Sequence, residues 1–193
     1  PISQDAVLSH HTALEYHGKA YTVFNTCTYT SQERTMPLVF RSHTYTPVPV
    51  PRELIKHDKV NFGVIRRLWS GVEIRVTSLE RTLVDMLNRP ILSGSWEEIW
   101  RSLESIDYLD INSLYEYVNL LNNATIAAKV GYFIQQNKES LMIDDTFIDK
   151  LRRKRPNQPH YLIRSKRKKC RLIKEWNLMV PEEIIDHAWR NIV

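Results

Sequence analysis

The chain has 193 residues, 42% of them hydrophobic and 25% charged, with 27 Lys and Arg against 22 Asp and Glu. That is the profile of a soluble globular protein with enough chain for one good-sized core, and no apolar run reaches the roughly 20 residues that a membrane-spanning helix needs. Two cysteines, Cys27 and Cys170, are too few for a disulfide framework or a zinc cluster and are expected to be free thiols in a reducing compartment.

The first residues include Gln4, Asp5, His10 and His11, with neither a basic start nor an apolar block. No secretory leader is expected, and a cytoplasmic location is. The chain begins at Pro1 and not at Met, so further sequence upstream is expected. Residues 5–17 are predicted to form a helix with Ala6, Ala13 and Leu14 on its apolar side and Gly18 as its stop. Residues 20–29 are rich in Tyr, Val, Phe and Thr and favour a strand. Met36–Phe40 and His43–Val50 are two more strand candidates, and Pro47, Pro49 and Pro51 point to an edge or a loop there, because proline cannot donate to a ladder. Val60–Trp69 is a further strand, and Ser70-Gly71 signals a turn.

Residues 71–90 are the most legible stretch. Val72, Ile74 and Val76 alternate with Glu73 and Arg75, as in a half-buried strand. Thr77-x-x-Glu80 fits a capping box that would start a helix carrying Leu79, Leu83, Met86 and Leu87 on one face. Arg81 and Asp85 are four apart on that helix and can pair, pinning it to the sheet. Asn88 and Pro90 end it. Ser95-x-x-Glu98 is a second box, followed by Trp96, Ile99, Trp100 and Leu103 at helical spacing. Two more helices are expected, one over 109–121 with Leu114, Tyr117, Val118 and Leu121 inward, the next capped by Asn123 with Ile126, Ala127, Val130, Phe133 and Ile134 inward. Residues 144–155 form a short helix, acidic at its start and basic at its end, as the helix dipole favours. Tyr161–Arg164 and Lys169–Lys174 are expected as two strands of a hairpin joined by Ser165-Lys166-Arg167-Lys168, with a last helix from Pro181 to about Arg190. The fold class is therefore α+β: a mostly antiparallel sheet over 20–76, short amphipathic helices over 78–155, and a basic hairpin with a final helix over 160–193, all in one compact unit.

The charge is unevenly spread. Residues 150–174 hold twelve Lys and Arg and no Asp or Glu, while the remaining 168 residues hold 15 basic and 22 acidic groups, net −7. The twelve are Lys150, Arg152, Arg153, Lys154, Arg155, Arg164, Lys166, Arg167, Lys168, Lys169, Arg171 and Lys174, with Tyr161 and Trp176 among or beside them. Such a field attracts phosphates, and Lys and Arg in that density suit phosphate contacts without base specificity.

Other chemistry has less to stand on. His10 and His17 share a helix face, but two imidazoles do not make a metal site and no carboxylate completes them. No acid-x-Lys strand of a metal-dependent nuclease follows Asp144 and Asp145, and of Glu73 and Glu80, which flank the strand over 72–76, Glu80 is already explained by capping. Only five glycines are present and none are spaced as a phosphate loop. Neither metal nor cofactor is expected.

Four blocks resemble the C-terminal domain of AbiEi-type antitoxins. Leu8-Ser9-His10-His11-Thr12-Ala13-Leu14-Glu15-Tyr16-His17-Gly18 is similar to that family's Ser-His-x-Ser/Thr-Ala-Leu-x-x-His-Gly helix. Val76-Thr77-Ser78-Leu79-Glu80-Arg81-Thr82-Leu83-Val84-Asp85 is similar to its Thr-Ser-x-Glu-Arg-Thr block, so that Thr77, Glu80, Arg81 and Asp85 become a structural signature. Ala127–Ile134 resembles its third helix, with Lys129 and Val130 in place of Arg and Leu, and Trp176–Pro181 resembles its ending. The resemblance implies a non-enzymatic antitoxin of a type IV abortive-infection system that also assists autoregulation of its operon. It implies an upstream winged helix bound to promoter DNA, and a nucleotidyltransferase-like toxin as functional partner without a need for direct contact. It supplies no catalytic residues. RNA is an alternative phosphate partner. A phage-defence nuclease or nucleotide-modifying enzyme, and a module docking an acidic protein, are the competing readings.

Overall fold

A computed structural model describes residues 3–69, 71–163 and 169–187. The chain gathers into two compact units, Pro1–Asn122 and Asn123–Val193. The boundary falls inside the run of helices. Asn122 adopts the left-handed conformation (φ 44°) that ends one helix, and the Asn123 side chain accepts from the Thr125 and Ile126 amides to start the next. Among the described residues no helix is long and apolar enough to cross a membrane.

The first unit is built on a six-stranded mixed sheet. In chain order its elements are β1 (Val7–Leu8), α1 (His10–Tyr16), β2 (Thr26–Ser31), β3 (Leu38–Phe40), β4 (His43–Pro49), α2 (Arg52–Lys56), β5 (Val64–Trp69), β6 (Val72–Thr77), α3 (Leu79–Asn88), α4 (Trp96–Glu104) and α5 (Ile111–Leu121). The strand order is β3-β4-β2-β1-β6-β5. β1 is antiparallel to β2 and parallel to β6, β2 is parallel to β4, and the β3–β4 and β5–β6 pairs are antiparallel. α3 packs against α1 and α5, and its face of Leu83, Met86 and Leu87 is buried, as the spacing predicts.

Several expectations are corrected. The first predicted helix begins at His10, because Val7 and Leu8 pair with Tyr29 and Thr30 as a strand, and Ala6 lies outside the helix. Arg52–Lys56 is a helix that the proline-rich context hid. β4 lies inside the sheet, yet its prolines obey edge rules. The Thr44 and Val50 amides donate to Asn25 and Ser31 carbonyls on the β2 side, so by alternation positions 47 and 49 face outward. β3 pairs only with His43–Tyr45 and has ended there.

The second unit comprises α6 (Ala124–Gln136), α7 (Asp145–Arg152), β7 (His160–Tyr161), β8 (Cys170–Ile173), β9 (Leu178–Pro181) and α8 (Glu182–Ile185). α6 and α7 pack together. Trp176, fully buried, lies on α6 at Gly131, where an added Cβ would overlap the indole ring. The expected basic hairpin is not formed as predicted: β9 lies between the two strands, antiparallel to β8 and parallel to β7. Leu178 and Val180 are fully buried, and that apolar pair takes the centre of the small sheet and leaves the basic strand β8 at its edge. The turn residues Ser165, Lys166, Arg167 and Lys168, together with Arg164, lie outside the described residues, as do Ser70 and the end of the helix expected to reach Arg190.

Candidate nucleic-acid interface

Two places can carry function: the polar signature of the first unit and the basic surface of the second. In the signature Thr77, Arg81 and Asp85 are buried and Glu80 is half-buried. Thr77 is still in β6, paired with Val64, and its hydroxyl meets that of Thr82 at 2.7 Å. The helix cap is therefore Ser78, whose Oγ accepts from the Arg81 amide. The predicted Thr77–Glu80 box is corrected by one residue, which puts Arg81 where a box needs an acid. Glu80 instead accepts from the Asp110 amide (3.0 Å) and ties the start of α3 to the start of α5.

Arg81 and Asp85 do pair, fully inside. Nε lies 3.5 Å from Oδ2, with side chains 1% and 4% exposed, an ion contact outside hydrogen-bond geometry. Arg81 Nη1 donates to the Val60 and Phe62 carbonyls (3.1 and 2.7 Å), so the guanidinium clamps α3 to the turn before β5. Tyr117 on α5 donates to Asp85 Oδ1 at 2.6 Å and stacks on Phe62. Burial, then the Asp85 charge, pushes the Tyr117 hydroxyl well above its ordinary range, so it stays a donor. His10, at φ 53°, joins this cluster. Burial lowers its pKa to about 4, with Asp85 opposing, and it remains a neutral ring bonded to Ser9 Oγ at 3.0 Å.

The second box is also half a box. Ser95 Oγ accepts from the Glu98 amide, but the Glu98 carboxylate reaches His11 (2.9 Å), the Thr22 amide and hydroxyl, and Ser102. Burial raises the Glu98 carboxyl, and these donors outweigh it and hold it below the usual carboxylate value. His17 bonds the Thr77 carbonyl (2.8 Å). His11 on α1 and His17 at its end thus cross-link α1 to α4 and β6. Among the described residues no three His, Cys, Asp or Glu gather as a metal site. Glu73 faces Arg66 at 3.5 Å, and Asp145 meets Lys138 at 2.9 Å.

The second unit carries the charge. From Asn123 to Val193 there are 15 Lys and Arg against 8 Asp and Glu, net +7, which leaves 12 against 14, net −2, for Pro1–Asn122. α7 shows how the chain presents it. Asp144 caps the helix by accepting from the Phe147 amide (2.8 Å). Hydrogen bonds from Thr146 and from Phe147 hold the Asp144 carboxyl below its usual value. Phe147, Ile148 and Leu151 turn inward, so Lys150 is exposed, and the turn that follows exposes Arg153, Lys154 and Arg155 before Pro156 is buried again. Arg152 pairs with Asp149 and lies over the Trp176 ring, 5.6 Å from its centroid. The Asn177 side chain donates to the Pro156 carbonyl (2.8 Å). These two contacts bring the end of α7, with its exposed Arg153, Lys154 and Arg155, beside the turn that follows Lys174, where Glu175 accepts from the Gln135 side chain.

The other end of β8 has mixed charge. Arg171 is 3.8 Å from Asp186, and the Glu182 amide donates to the Lys169 carbonyl, which sets two acids beside Lys169. There, burial and then Glu182 and Glu183 push the Cys170 thiol up. The basic segment thus divides into one end with dense positive charge and one end partly offset. The Arg152–Trp176 stack was the part that linear reasoning missed; the aromatic was legible, its contact was not.

No protein-family model and no curated protein matches the chain. The fold is similar to the crystal structure of the RV2827C protein from Mycobacterium tuberculosis, with a TM-score of 0.57 and 12% identity over 91% of this chain and 62% of that one. At that identity the likeness concerns the fold alone, and the chain spans under two thirds of the length of its neighbour.

Proposed function

We propose that the second unit is a phosphate-binding surface for nucleic acid, within a non-enzymatic antitoxin and transcriptional regulator of the AbiEi type that works in the cytoplasm. The observation that carries this reading is the separation of charge between the units, net +7 against net −2, with the cations at the end of α7 exposed. Phosphates are the partners that such a surface attracts without needing bases, and promoter DNA is the natural one for an autoregulator. The four sequence blocks support the antitoxin context, and the burial of Thr77, Arg81 and Asp85, with Glu80 tied to the Asp110 amide, supports a structural and not a catalytic job for them.

The test is to replace Lys150, Arg153 and Arg155 together by Gln and titrate operon-promoter duplex at several salt concentrations. Each lost phosphate contact reduces the log–log salt slope by about 0.9, so the triple variant loses roughly 2 to 3 in slope while its unfolding midpoint holds. An unchanged slope refutes the reading. RNA of equal length, run in parallel, decides which polymer is preferred.

A further inference from the structure

We propose that β3 is a docking edge for an extended, acidic-ended segment of a partner protein, which adds to the first unit's sheet as a seventh strand. The strand ends the sheet, and its side chains are all solvent-facing, with Leu38 42%, Val39 70% and Phe40 56% exposed and Met36 before them 80% exposed. Edges are ordinarily blunted by charge, yet β3 itself carries none.

Among the described residues no strand pairs with the outer edge of β3. The Thr44 amide donates to Asn25 on the β2 side, so Val39 and Thr44 form the non-hydrogen-bonded pair of the β3–β4 ladder. Val39 therefore turns its own N–H and C=O outward, ready to receive a strand. Phe40 and His43 close the hairpin across Arg41-Ser42, and Arg41 is held at φ 53° with its guanidinium over the Phe40 ring (5.3 Å).

Charge selects the occupant. Residues 34–52 contain Arg34, Arg41 and Arg52 and no Asp or Glu, in a unit whose net charge is −2. A strand with carboxylates at its ends and β-branched residues between them meets Arg34 and Arg41 at either end of the apolar edge. A second copy of this chain does not fit. Antiparallel self-pairing about Val39 would bring Arg34 of each copy toward Arg41 of the other, and Glu33, the neighbouring carboxylate, already accepts from the Ser3 hydroxyl, so like charges so placed oppose association.

The test uses the full chain and a fluorescein-labelled peptide, Glu-Thr-Val-Thr-Val-Thr-Glu, with a twin carrying Lys at both ends, read by fluorescence polarisation. The acidic-ended peptide is expected to bind at least about tenfold tighter than its twin, in line with the weight of like-charge repulsion at interfaces. Val39→Pro removes only an outward N–H, which an edge position tolerates, and is expected to weaken the acidic-ended peptide with no change in unfolding midpoint. Arg34→Glu combined with Arg41→Asp is expected to reverse the preference between the peptides. Equal binding of both peptides, no binding of either, or indifference to the charge reversal overturns the proposal; in the last case the second unit's cations hold the peptide. A dimer in sedimentation that Val39→Pro dissolves also overturns it, since the occupant is then a second copy.

Discussion

Arg81→Met tests whether the polar signature holds the fold together. The side chain is 1% exposed and its removal leaves Asp85, 4% exposed, as a buried charge without its cation, while the Val60 and Phe62 carbonyls lose their donor. Breaking a buried pair from one side costs about 3–5 kcal/mol. Tyr117 still donates to Asp85 at 2.6 Å and shares its charge, which places the expected loss at the lower end, about 3 kcal/mol. Against a total stability of about 5–15 kcal/mol, that is a large shift in the urea midpoint. Asp85→Asn on the Arg81→Met background removes the stranded charge and keeps an acceptor for Tyr117, so the double variant should be less damaged than the sum of the single losses, by at least about 1 kcal/mol. Urea unfolding with amide exchange on α3 measures both. A loss below about 1 kcal/mol in Arg81→Met would refute the clamp, since a truncated buried ion pair cannot be that cheap. Intact stability with lost nucleic-acid binding would move the signature from scaffold to site.

The other predictions are simpler. Gly131→Ala drives a methyl into the Trp176 ring, with backbone helix on one side and a fully buried indole on the other, and overpacking of that kind costs about 1–3 kcal/mol; thermal unfolding followed by Trp fluorescence reads it. His10 makes stability fall with acid: its folded pKa of about 4 lies below the usual 6.5, so the unfolded chain takes up the proton first. Its contribution is present above pH 6.5 and is lost as pH falls from 6.5 to about 4, worth about 3 kcal/mol in full, and His10→Asn, which tolerates positive φ, should flatten that limb. Glu98 has a depressed folded pKa, so its contribution is present above its ordinary value of 4.5 and is lost below it; Glu98→Gln should therefore change the curve at lower pH than His10→Asn does.

Much of the architecture was written locally. The apolar periodicity of α4, α5 and α6 named buried residues throughout, that of α3 did so for Leu83, Met86 and Leu87 but not for Leu79, which is half-buried at the first turn, and Asn123 and Ser95 were recognisable caps, because helix spacing and capping are set within a few residues. Arg81–Asp85 was legible for the same reason: four residues on a helix are neighbours wherever the helix goes. The limits appear where one residue decides. Thr77 and Ser78 can both cap a helix, and the choice fell to Ser78 because Thr77 is held in the ladder opposite Val64.

The amino-acid order by itself determined the helices α3 to α7, most of their inward faces and the concentration of positive charge in 150–174, all of which follow from short-range spacing and composition. Only the tertiary structure decided the pairing. β9 entered between β7 and β8 because a strand with two fully buried residues must sit where both of its edges and one face are covered, and no local rule says which strand that is. It also decided which cations lie near one another. Lys174 and the Arg153–Arg155 turn are some twenty residues apart along the chain and meet through Trp176 and Asn177, a contact that depends on Gly131 leaving room for an indole.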